Sequence, residues 1–116
     1  MRRVAVTDGM AQEAVKKLKS AGCEVVQDFI EHDQLVDGAL ADFDAIIVRS
    51  ATKLTKEMLE ASQPRLKVVA RAGVGVDNID LDAASHLGLP VVNAPRASTQ
   101  SVVELTVGHL LSSLRF

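Results

Sequence analysis

Two arginines, Arg49 and Arg71, directly follow short apolar runs, Ala45-Ile-Ile-Val48 and Val68-Val-Ala70. A fixed cation at the end of a buried strand suits carboxylate or phosphate recognition, because the planar guanidinium presents its N–H groups as a fork. Arg71 opens the densest polar stretch of the chain, Arg71-Ala-Gly-Val-Gly-Val-Asp-Asn-Ile-Asp80. With no Cβ, Gly73 and Gly75 let backbone N–H groups come close to an anion. The bland alternatives are a tight turn for the glycines and, for each arginine, an ion pair to Asp44, Asp77 or Asp80. Asp77-Asn78-x-Asp80 reads as the end of a turn and a helix cap. A G-x-G-x-x-G dinucleotide fingerprint is not met, since its third glycine position falls on Asn78. His32, His86 and His109 stand apart on helical patterns, and neither a catalytic triad nor a metal-ligand spacing emerges. No catalytic residue and no metal ligand is therefore expected.

These residues sit in a chain of 116 residues, room for one compact domain. Apolar residues make up 47% and aromatic ones 3%, so the core must be built from Val, Leu, Ile and Ala. The net charge of -2, with scattered Lys and Arg, argues against nucleic acid as a partner. The charged start Met1-Arg-Arg3 does not read as a signal peptide, and no apolar run approaches the ~18 residues of a membrane span. The one cysteine, Cys23, cannot form an internal disulfide and reads as a small buried hydrophobe. The expectation is a cytoplasmic protein.

The elements that must position the arginines follow in regular order. Strands are predicted at 3–7, 24–27, 45–48, 66–70 and 89–92. Helices are predicted at 10–20, with Asp8 as N-cap; at 32–40, with Leu35, Val36, Ala39 and Leu40 on one face; at 55–62, with Met58 and Leu59 inward; and at 81–87, capped by Asp80. Phe29-Ile30 is left as loop. Regular β-α alternation with short connections predicts parallel strands. The fold class is α/β: a flavodoxin-like, doubly wound five-stranded parallel sheet of order 2-1-3-4-5 in three α/β/α layers. The arginines, the glycine loop and Asn93-Ala-Pro95 then open on the same sheet edge, where such folds bind ligands.

Beyond residue 97 the pattern changes. Ser101-x-x-Glu104 is a capping box. It leads into Val102, Val103, Leu105, Val107, Leu110, Leu111 and Leu114, which cover more than one stripe of a helix. A helix apolar nearly all round needs covering nearly all round. Another domain or a second copy of the chain would supply that cover.

Two other functions of this fold fit poorly. A phosphoacceptor receiver needs an aspartate after the third strand, where Arg49 stands and would repel Mg²⁺. A flavin module needs aromatic residues to stack on its ring, and the chain has three Phe and neither Trp nor Tyr.

The segments Val48-Arg-Ser-Ala-Thr-Lys-Leu-Thr55, Val69-Ala-Arg-Ala-Gly-Val-Gly-Val-Asp-Asn-Ile-Asp80, Asn93-Ala-Pro95 and Ser101-Val-Val-Glu-Leu-Thr106 resemble the D-3-phosphoglycerate dehydrogenases of the D-2-hydroxyacid dehydrogenase family. The resemblance runs in register through nearly the whole chain. It implies an NAD-dependent oxidoreductase interconverting 3-phosphoglycerate and 3-phosphohydroxypyruvate, the first step of serine synthesis. It implies further that residues 1–97 are the substrate-binding lobe and 98–116 the connecting helix. The Rossmann cofactor domain, with the catalytic Arg, Glu and His, would be absent from this chain, which would be inactive alone. By the resemblance, Arg49, Ser50 and Arg71 contact the substrate's phosphate or carboxylate, and the N–H groups of Gly73 and Val74 hold its carboxylate. Val74 and Thr99 face the nicotinamide, though NAD is not expected to bind tightly to this chain alone. Ser98 departs from the asparagine frequent in the family. The competing reading is a stand-alone structural or engineered flavodoxin-like module that self-associates as a dimer through its C-terminal helix.

Overall fold

A computed structural model describes residues 2–8, 12–27, 30–49, 52–63, 65–71, 78–93 and 108. Five strands, β1 (Arg2–Val6), β2 (Cys23–Val26), β3 (Ala45–Val48), β4 (Val68–Arg71) and β5 (Val91–Asn93), form one sheet of order β2-β1-β3-β4-β5. All four pairings are parallel. The predicted order and class are therefore those observed. Between the strands lie α1 (Gln12–Ser20), α2 (His32–Val36), α3 (Lys56–Ala61) and α4 (Leu81–His86).

Side chains alternate across the sheet and split the core in two. On one face Leu18 of α1 packs with Val4, Val6, Ala45, Ile47, Val68 and Ala70. On the other, Leu35, Met58, Leu59 and Ala84, from α2, α3 and α4, pack with Ala5, Ile46, Val48 and Val69. The central strand β3 is buried at every position, as a strand covered on both faces must be.

The largest departure from the predicted elements is the second helix. The pattern runs to Leu40, but α2 stops at Val36. Gly38 adopts φ 98°, a left-handed conformation that ends the helix, and a single 3₁₀ turn follows at Ala39–Asp42. Leu35 and Leu40 still reach the core, but Val36 is exposed. Every strand but β3 also shifts by one or two residues, β1 from 3–7 to Arg2–Val6. β2 begins at Cys23, which pairs with Arg2. Leu66 N–H bonds back to the Ser62 carbonyl at the end of α3 and Lys67 N–H to the Asp44 carbonyl, so β4 starts only at Val68. β5 starts after Pro90, whose carbonyl accepts from Val69 N–H at 3.0 Å. Asp80 caps α4 as predicted, accepting from Ala83 N–H at 3.0 Å.

Of the predicted final helix, Gly108 is described, helical and exposed. The rest of 98–116, and with it the apolar stripe, lies outside the described residues.

Candidate anion-binding edge of the sheet

The strand register places the two arginines first. Val48 pairs with Arg71, and Arg71 with Asn93. Arg71 is the last residue of β4, and Arg49 lies one residue beyond its partner on the neighbouring strand. Both therefore stand at the carboxyl end of adjacent central strands. Arg49 is exposed and Arg71 half-buried.

The loop leaving β3 is held from two sides. From below, Asp8 at the end of β1 accepts from Arg49 N–H at 2.8 Å and Thr52 N–H at 3.1 Å through one oxygen. Its other oxygen accepts from the Thr52 hydroxyl at 2.5 Å. The Thr52 hydroxyl also lies 2.9 Å from that of Thr7, and both side chains are buried. From the side, Asn78 donates through Nδ2 to the Arg49 carbonyl at 2.7 Å and the Thr52 carbonyl at 2.6 Å. Its Oδ1 accepts from Arg71 Nε at 2.9 Å. The backbone continues the clamp: Leu54 N–H donates to the Asn78 carbonyl at 2.8 Å and Asp80 N–H to the Leu54 carbonyl at 2.9 Å. These bonds make a one-rung parallel bridge, Leu54 with Ile79.

Both polar backbone groups of Arg49 are thus fixed while its guanidinium has no partner among the described residues. Neither arginine pairs with Asp44 or Asp80. Asp44 accepts from Arg3 N–H at 2.8 Å and lies 3.4 Å from Arg65, and Asp80 caps α4. Asp77, the third candidate partner, lies outside the described residues.

Ser50, Gly73, Val74 and Thr99 also lie outside them, so the structure brings together Arg49 and Arg71 of the expected set. It adds Asp8, Thr52 and Asn78, which the sequence marked only as a helix cap, a loop residue and part of a turn. Among the described residues, every partner of Asp8 is on the loop after β3; the start of the first helix, which Asp8 is expected to cap, lies outside the described residues. The only signal for this in the sequence was position, a carboxylate closing β1 and a threonine shortly after β3.

The Asp8 carboxylate after β1 commits the N–H groups of Arg49 and Thr52, and Arg49 and Arg71 stand one and two strands away from it. The β1–α1 turn at 9–11, where a dinucleotide would need free N–H groups, lies outside the described residues. Among the described residues no group of His, Cys, Asp and Glu could hold a metal ion, and no helix is long and apolar enough to cross a membrane.

Comparison with known proteins covers nearly the whole chain. The profile of the D-isomer specific 2-hydroxyacid dehydrogenases, catalytic domain, matches residues 4–112. The chain is 44% identical to a D-3-phosphoglycerate dehydrogenase of Methanocaldococcus jannaschii, over 99% of this chain and 22% of that protein. It is 41% identical to a hydroxypyruvate reductase of Thermotoga maritima, over 97% of this chain and 37% of that one. Among solved structures, NAD⁺-bound 3-phosphoglycerate dehydrogenase of Entamoeba histolytica superposes with a TM-score of 0.69 at 31% identity, over 92% of this chain and 37% of that one. The sequence thus spans well under half the length of each of these relatives.

Proposed function

The chain belongs to the D-isomer specific 2-hydroxyacid dehydrogenase family, and from that premise we propose that residues 1–97 form the substrate-side lobe of an NAD-dependent D-3-phosphoglycerate dehydrogenase. The observation that carries the reading is the pinned Arg49 backbone. Asp8 holds its N–H and Asn78 its C=O, leaving a guanidinium with no partner among the described residues at the carboxyl edge of the sheet, next to the strand that ends in Arg71. Two arginines there favour a substrate with two anionic ends, such as 3-phosphoglycerate, over a 2-hydroxyacid with one. In this reading Arg49, Ser50 and Arg71 take the phosphate or carboxylate, the N–H groups of Gly73 and Val74 complete the carboxylate site, and Val74 and Thr99 face the cofactor.

The work of this lobe is binding and orientation. NAD binding and hydride transfer belong to a Rossmann domain outside these 116 residues, and residues 98–116 form the helix that joins the two. The cellular role is the entry step of serine synthesis, in the cytoplasm.

An amide-shift titration by NMR tests the proposal. Adding 3-phosphoglycerate should move the resonances of Arg49, Ser50 and residues 71–74, while NADH should leave them in place. The purified chain should not oxidise 3-phosphoglycerate. Response to NADH without response to 3-phosphoglycerate, or measurable turnover, overturns the assignment.

A further inference from the structure

We propose that Asn78 is the positioning residue that locks the two arginines into one anion fork, and that it restricts Arg71 to end-on recognition through its two terminal nitrogens. The proposal deepens the reading of the previous subsection and rests on it for the identity of the ligand. The geometry of the lock does not depend on that reading.

The chemistry of Asn78 permits one orientation. Its amide nitrogen lies 2.7 Å and 2.6 Å from two carbonyl oxygens, which only accept. Its other amide atom lies 2.9 Å from Arg71 Nε, which only donates. A flipped amide would set oxygen against two oxygens and an NH₂ group against an N–H. Both amide hydrogens are then spent on the loop that carries Arg49, and the amide oxygen is spent on Arg71. One side chain therefore spans both arginines, through the backbone of the first and the guanidinium of the second.

For Arg71 the bond has a directional consequence. A guanidinium can grip an oxyanion side-on, through Nε and one terminal nitrogen, or end-on, through both terminal nitrogens. With Nε committed to Asn78, the side-on mode is closed. The four terminal N–H groups have no partner among the described residues. Being neutral, Asn78 orients Arg71 without cancelling its charge, as an aspartate in its place would. Among the described residues Arg49 has no such holder, since its backbone is fixed and its guanidinium has no partner there. The two arginines thus divide their tasks: Arg71 is set to a direction and Arg49 adapts to the ligand.

The test reads arginine side-chain resonances in the isolated chain, with inorganic phosphate and 3-phosphoglycerate as ligands. In the unaltered chain the Arg71 Nε–H should exchange with water more slowly than that of Arg49. Equal exchange overturns the lock with no variant needed. Asn78→Ala should speed Arg71 Nε–H exchange, loosen the Arg49 and Thr52 amides and weaken 3-phosphoglycerate binding about tenfold or more. Asn78→Asp keeps the shape but sets a carboxylate against two carbonyls. It should slow Arg71 Nε–H exchange further, through an ion pair, yet weaken binding at least as much as Asn78→Ala. Either variant binding as tightly as the unaltered chain, with sheet amides unmoved, overturns the positioning role. Slow Arg71 exchange in a chain that binds neither ligand keeps the lock and overturns the assignment of the edge to anions.

Discussion

The hydroxyl of Thr52 lies 2.5 Å from Asp8 Oδ1 and 2.9 Å from the Thr7 hydroxyl, which fixes the direction of both bonds. A carboxylate only accepts, so Thr52 gives its single proton to Asp8 and must receive one from Thr7. Thr52→Val keeps the side-chain shape and removes that relay. Asp8 loses one bond and the buried Thr7 hydroxyl loses its acceptor. The expected cost is about 1.5–3 kcal/mol of folding stability, measured by urea unfolding, with Thr52→Ser recovering most of it. A loss below about 0.5 kcal/mol would show that the relay is not intact in solution.

Arg49→Ala should separate binding from stability. The side chain is exposed and without a described partner, so folding stability should change by no more than about 0.5 kcal/mol. Affinity for 3-phosphoglycerate should fall about tenfold or more, because a charged hydrogen bond is removed. Calorimetric titration beside a thermal melt reads both. A large drop in melting temperature would mean that Arg49 has a structural partner.

Gly38→Ala addresses the break after α2. At φ 98° an added Cβ meets nothing closer than the Ala61 carbonyl at 3.6 Å, an ordinary contact. The cost is therefore conformational, on the order of 1–2 kcal/mol, and not a clash. Equilibrium unfolding should show that loss. Unchanged stability would mean that the chain continues α2 through residue 38, as the apolar pattern of the sequence suggests.

Cys23 should be inert in the folded chain. Burial pushes its thiol above the ordinary value of 9.0; Arg2 pulls it down and Asp44 adds to the rise. Because the folded pKa is the higher one, the stabilising contribution is complete below pH 9 and is lost as pH rises beyond it. Stability should thus decline above pH 9, and Cys23→Ser should remove that part of the decline. At pH 8, labelling by a thiol reagent should proceed at the rate of unfolding. Rapid labelling of the native chain refutes the burial argument.

The parts of this molecule written locally could be read from the sequence. The apolar run Ala45–Val48 announces a strand covered on both faces, Asp80 announces its helix, and alternation of elements announces the sheet order. The parts decided by distant partners could not. Asp8 has the local look of a helix cap, and nothing near it names residues 49 and 52 as its partners. Val36 fits the apolar stripe of a longer helix, and only the left-handed turn at Gly38 puts it in water. Arg49 and Arg71 were legible as candidates because each closes an apolar run. Their common holder Asn78 was not, since an asparagine beside two aspartates is ordinary turn chemistry.

The bonds that shape the anion edge join residues far apart in sequence, 44 for Asp8 with Thr52 and 29 for Asn78 with Arg49. Loop closure of that length must precede any gain from the contact. The carboxylate that follows β1 waits for β3 and the turn beyond it. The Arg49 loop waits again for residue 78. This edge therefore closes only as the ends of β1 and β3 and the segment at residue 78 come together, and any affinity for ligand would wait on that closure.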